Sequence, residues 1–262
     1  QLQNKSTEVH SIRTDTKQNK TNTMSSTSEM KDLLATDRYN PDIVPKLESY
    51  LVSQVEDGAT PAAYDFEANR TLVKLYQFFP TLANFEYRTL AALLSVIYGA
   101  DATEFGAINC LIPEQGKAEE PYTSLTRAVE YRDNCVFSDL WSVLEEESMK
   151  DSSLESVQKV VKSAHAKTAL RKSILQTLSL TFKNMELKSA LVHLNFQSDS
   201  DFNDFVKEDA NGVVESVEGG KIVFSDNVEN TKRDKGHQEG GSSVTYGAIR
   251  ELMAKVGIAA SE

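Results

Sequence analysis

Two cysteines, one tryptophan and four histidines stand in 262 residues, and each scarcity removes a class of protein. Cys110 and Cys135 are too few for a disulfide framework or a four-cysteine zinc site, so they read as reduced thiols of a cytosolic or nuclear protein. The sequons at Asn4, Asn19 and Asn69 then carry no meaning. No run approaches the ~20 consecutive apolar residues of a spanning helix, and the polar N-terminus lacks the apolar stretch of a secretory signal. Membrane insertion and secretion are therefore not expected. Positive charge is also short: 28 Lys and Arg face 39 Asp and Glu, and the net charge of -11 disfavours non-specific attraction to a phosphate backbone. Walker-type, GxGxxG, HExxH and GxSxG signatures are all missing. His10, His165, His193 and His237 are scattered along the chain, so no ligand spacing suggests a metal. The chain reads as a non-enzyme without a cofactor.

The composition, 40% apolar and 26% charged, is that of a soluble globular protein. Residues 1–29 stand apart as a Ser/Thr-rich disordered tail, with too few large apolar side chains to offset their ordering entropy. Gln1 opens the chain and Met24 and Met30 flank the first periodic segment, leaving a native tail and upstream translated sequence both open.

All six prolines lie between Pro41 and Pro121, whereas most glycines lie from Gly212 onward, which suggests two architectures. In the first, residues 30–169, helical spacing dominates. Ile43, Leu47, Tyr50, Leu51 and Val55 form one stripe, with Asn40 and Pro41 as cap and first turn and Gly58 as stop. A second helix is expected over residues 64–79 with Leu72, Val73, Tyr76 and Phe79 inward, and a third through Leu90, Leu93, Leu94 and Ile97. Shorter stripes follow at Phe105, Ile108 and Ile112, at Leu125, Ala128 and Val129, and at Phe137, Leu140, Trp141 and Leu144. One long helical stretch is expected over 152–182. Consecutive helices with short connections imply a helical-repeat (HEAT-like) domain, although no clean internal repeat is present.

The second architecture, residues 170–225, reads as helix, a short segment near Asn184, two helices over 187–194 and 201–210, and then a hairpin. Its strands are 213–217 and 221–224, joined by a three-residue connection of Glu218, Gly219 and Gly220. That order is the order of a winged helix with a small β-hairpin. A flexible insertion over 226–243 and a last amphipathic helix within 244–262, through Ile249, Leu252 and Val256, complete the mainly α layout.

Two charged stretches stand out. Asp199, Asp201 and Asn203 mimic the start of a calcium loop, but Asp204 and Ala210 occupy positions that need glycine and glutamate, so they read as helix-capping acids. An acidic helix before the hairpin points to protein rather than nucleic acid as the winged helix's partner. The sign reverses over 159–188, where Lys159, Lys162, Lys167, Arg171 and Lys172 lead the basic residues. Their side chains read either as a solvated face or as a weak contact to RNA or an acidic partner.

Three strings go beyond composition: Asp37-Arg38-Tyr39-Asn40-Pro41, Tyr64-Asp65-Phe66-Glu67-Ala68-Asn69, and Leu75-Tyr76-Gln77-Phe78. In order and spacing they resemble the subunit K family of eukaryotic translation initiation factor 3, with Cys135, Phe137 and Trp141 as a further matching block. The resemblance implies helical repeats followed by a winged helix related to the PCI module. It also implies a non-catalytic scaffold subunit, partnered with other initiation factor 3 subunits, subunit L above all, and carried on the small ribosomal subunit in the cytoplasm, with a nuclear pool open. Within the matched block, Tyr39, Asn40, Tyr64, Asp65, Asn69 and Tyr76 form either a partner surface or the caps and packing of the first helical pair. Another PCI-type assembly, the proteasome lid or signalosome, is the alternative.

Overall fold

The computed structural model describes residues 27–56, 60–99, 102–146, 149, 152–210, 212–231 and 246–255. The chain divides into two units, 1–225 and 226–262.

The first unit opens with helix α1 over 27–37, which begins within the stretch expected to be tail. A short 3-10 turn, Pro41–Ile43, leads into α2 (Val44–Glu56). Proline fits this start because its missing N–H would lack a partner there anyway. Asn40 caps the turn, its side chain accepting from the Asp42 N–H. Gly58, the expected stop, lies outside the described residues.

Helix α3 (Phe66–Phe78) starts later than the spacing alone suggests. Asp65 keeps an extended backbone and accepts from the Ala68 N–H, fixing the boundary. Helix α4 (Phe85–Tyr98) is capped by Asn84 and buried from Thr89 to Ile97 without a break. A helix apolar on all sides belongs at the centre of its unit, and α4 indeed packs against α2, α3, α5 (Ala102–Asn109), α7 (Tyr122–Asp133), α9 (Glu155–Lys162) and α10 (Ala164–Thr181). The short α6 (Glu114–Lys117) precedes α7, and α7 packs closely on α8 (Phe137–Leu144). Ile112 lies beyond α5 in a turn rather than on its stripe.

The helical sequence expected over 152–182 is two helices. Ser163 takes an extended backbone (φ -65°, ψ 131°), ends α9, and accepts from the Ala166 N–H to cap α10. A serine hydroxyl that can satisfy an orphan N–H makes this break cheap.

After α10 comes β1 (Asn184–Glu186), then α11 (Leu187–Leu194), α12 (Asp199–Glu208), β2 (Val214–Glu218) and β3 (Lys221–Phe224). The three strands form an antiparallel sheet in the order β1-β3-β2. Met185 faces Ile222 in one pairing, and Val217 faces Ile222 in the other. The hairpin loop has two residues, not three: Glu218 is a strand residue paired with Lys221. Gly219 and Gly220 both take positive φ, 58° and 76°. Such a pair matches strand twist, and only glycine adopts it freely, so a two-residue turn suffices. Ile222 and Phe224 of β3 and Phe202 of α12 are fully buried, continuous with the core that includes Met30.

In the second unit, the described residues are 226–231 and helix α13 (Tyr246–Lys255). Asn227 organises the first of these segments, its side-chain oxygen accepting from the N–H groups of Glu229 and Asn230. On α13, Ile249 and Met253 are exposed. Val256, expected on its stripe, and most of the expected flexible insertion lie outside the described residues.

Candidate functional site

The residues that carry the family strings meet where α2 and α3 pack. Gln54 and Asn69 exchange a reciprocal amide pair: Gln54 Nε2 donates to Asn69 Oδ1 at 2.8 Å, and Asn69 Nδ2 donates to Gln54 Oε1 at 3.0 Å. The Asp65 N–H also donates to Gln54 Oε1. Asp65 in turn accepts from the Tyr50 hydroxyl at 3.3 Å. Asn69 is only 1% exposed, so this pair holds polar atoms that burial would otherwise leave costly. Gln54 went unnoticed in the sequence, although its spacing from Leu47 and Leu51 puts it on the buried face. Asn69→Ala is expected to lower folding stability by about 1–3 kcal/mol, because the buried Gln54 amide loses its partner. Denaturant unfolding checks this, and a change within about 0.5 kcal/mol contradicts a structural pair.

Two tyrosines of the block, Tyr76 buried and Tyr64 partly buried, are also tied inward. Tyr76 donates its hydroxyl to Glu48 of α2. Tyr64 donates to Glu104 of α5 at 2.7 Å. Burial, reinforced by these carboxylate partners, raises both phenols above their ordinary range, so both act as neutral donors.

Tyr39 differs. It is 58% exposed and lies against Phe78, itself 51% exposed, with ring centroids 6.2 Å apart. Lys74 sets its ammonium 5.4 Å from the Tyr39 ring centre and 5.7 Å from that of Phe78. Phe78 stood in a quoted string but off the apolar stripe, which is the signal that it faces outward.

The five basic residues do not form one open patch. Lys159 pairs with Glu155 at 2.8 Å, Lys167 with Glu145 at 3.1 Å and Lys172 with Asp209 at 2.8 Å. Lys159 and Lys162 also line a groove of about 650 Å³ together with Val52, Val55 and His165. Arg171 is structural in geometry. Its Nε donates to the Leu194 carbonyl at 2.9 Å and its Nη2 to that of Asn195 at 2.7 Å. Its guanidinium lies 4.0 Å from the Phe196 ring centre and 5.8 Å from that of Trp141. Asn195 takes the left-handed backbone that ends α11 (φ 52°), leaving carbonyls for Arg171 to cap. Burial lowers the Arg171 pKa from its usual value, with Asp201 opposing.

Among the described residues, no group of three or more His, Cys, Asp or Glu is placed to hold a metal ion. None of the described helices is long and apolar enough to cross a membrane.

The fold and surface thus define a mainly helical protein with a small antiparallel sheet, in which Asp65, Asn69 and Tyr76 of the family block are tied into the core while Tyr39 and Phe78 form an outward aromatic pair. No family model matches the chain. Individual relatives do. A protein of Xenopus laevis is 27% identical over 202 residues, covering 77% of this chain and 85% of the relative. One of Danio rerio is 30% identical over 159 residues, covering 60% and 66% respectively, and one of Drosophila willistoni is 42% identical over 93 residues, covering 35% and 40%. The chain thus spans just under two thirds of the Danio relative's length. All three bear the name eukaryotic translation initiation factor 3 subunit K, and it is to proteins of that name that this chain is similar.

Proposed function

We propose that this chain is a non-catalytic scaffold subunit of the initiation factor 3 complex, packing against partner subunits, subunit L foremost, and supporting recruitment of the small ribosomal subunit. The observation that carries the reading is the similarity over most of the chain to relatives named as subunit K. None of these names is that of a proteasome-lid or signalosome subunit. Its site of action would be the cytoplasm, with a nuclear pool open.

In this reading residues 30–169 are a HEAT-like helical-repeat domain and 170–225 a winged helix, followed by the insertion at 226–243 and a C-terminal helix within 244–262. Support comes from the succession of pairwise-packed helices through α10 and from the order of helix, strand, two helices and hairpin over 164–224. The acid-rich first turn of α12, with Asp199 and Asp201, favours a protein partner over nucleic acid. Binding would then be concentrated in a few aromatic and aliphatic anchors.

The direct test mixes the recombinant chain with recombinant subunit L and follows size-exclusion chromatography. Co-elution at micromolar concentration is expected, and separate elution overturns the pairing. The RNA contact is tested by charge reversal at Lys159 and Lys162, leaving Arg171 intact because it holds two carbonyls. Salt-dependent binding to the small ribosomal subunit should weaken several-fold, and unchanged binding removes this contact from the account.

A further inference from the structure

Internal bonds account for Asn40, Asp65, Asn69 and Tyr76 within the family strings, but no packing role accounts for Tyr39 and Phe78. Both rings are more than half exposed and, among the described residues, their aromatic and cation contacts are to each other and to Lys74. Lys74 makes no ion pair among the described residues, so its charge is held over two rings without a carboxylate partner. Arg38 and Arg70 flank the same face and share Glu67, at 3.6 Å and 2.9 Å. With Asp37 beside Arg38, three cations meet two carboxylates here, and Lys74 is the cation that no carboxylate pairs with among the described residues, on a chain whose net charge is -11.

Three occupants fit an aromatic and cationic face in general: a nucleic acid strand, a second copy of this chain, or an acidic protein segment. A nucleic acid strand needs a positively charged groove that tracks its backbone, and here the carboxylates of Glu67 and Asp37 stand among the cations. A second copy in a two-fold arrangement would bring the same three cations against themselves. An acidic protein segment meets neither obstacle.

We propose that the Tyr39, Phe78 and Lys74 face docks an acidic segment of a partner protein, which lays an apolar side chain against the two rings and a neighbouring carboxylate on Lys74. The setting rests on the scaffold reading above. The geometry does not, because it follows from exposure and charge alone. Rigid aromatic rings contribute contact area at little entropy loss, and the unpaired ammonium selects an acidic neighbour.

The experiment uses the full chain with Tyr39 replaced by photoreactive p-benzoylphenylalanine, irradiated in native extract with and without nuclease, and the crosslinked peptide identified by mass spectrometry. The expected product is a peptide of another protein from a segment with an excess of Asp and Glu. Its yield should fall about tenfold with Lys74→Glu or Phe78→Ala, fall with added salt, and recover with Lys74→Arg. Circular dichroism of each variant should match the parent, since the substituted side chains lie at the surface. A crosslink to RNA that nuclease removes, a crosslink to a second copy, or a yield unmoved by Lys74→Glu overturns the proposal. Recovery of initiation factor 3 subunits undiminished by these variants overturns the docking surface alone. An acidic segment from an unrelated complex supports the surface and overturns the scaffold reading.

Discussion

Replacing Trp141 by alanine is expected to remove about 3–5 kcal/mol of folding stability, the range for deleting a large buried aromatic. Trp141 is 4% exposed on α8, and its indole N–H donates to the His193 carbonyl on α11 at 2.9 Å. Arg171 of α10 lies over the same ring while it caps the end of α11. One side chain thus ties three helices, and its loss both opens a cavity and frees a carbonyl. Trp141→Phe should cost far less, because the ring area mostly remains while one hydrogen bond, about 0.5–1.5 kcal/mol net, is lost. Chemical denaturation measures both. A Trp141→Ala change below about 1 kcal/mol would contradict this anchoring role.

The second large effect is expected at Tyr76. Tyr76→Ala should cost about 3–5 kcal/mol, since the ring is buried in the α2 and α3 interface. Tyr76→Phe should cost only about 0.5–1.5 kcal/mol, the net value of the bond to Glu48. Tyr64→Ala should fall between these, because Tyr64 is only partly buried against the core. These variants separate the two readings of the family block. Loss of folding marks a core residue, whereas a folded variant that no longer binds its partner marks an interface. The account predicts the first outcome at Tyr76 and the second at Tyr39.

Much of the helical layout was legible because a 3.6-residue period records burial directly: Leu47 and Leu51, Leu72 and Tyr76, and Leu90 through Ile97 all face inward. The break at Ser163 was not, because the Lys and Ala around it favour helix and only the serine's capping bond ends one helix and starts the next. Strand β1 was missed as a strand because Asn184, Met185 and Glu186 include no β-branched residue. It exists because β3 offers an edge to pair with. The basic stretch is weaker in the fold than in the sequence, since its partners Glu155, Glu145 and Asp209 lie outside residues 159–188. The aromatic pair was hidden for a similar reason. Tyr39 lies in a turn and Phe78 at the end of α3, and the packing of α3 beside the α1 to α2 connection brings them together.

The central claim is membership of a working initiation factor 3 complex, and native purification tests it most directly. Tagged residues 30–262 would be recovered from extract at moderate salt, their partners identified by mass spectrometry, and the complex sedimented against ribosomal subunits. The account predicts co-purification of the other initiation factor 3 subunits, with part of the protein shifting to the small ribosomal subunit. Recovery of proteasome-lid or signalosome subunits in their place would contradict it.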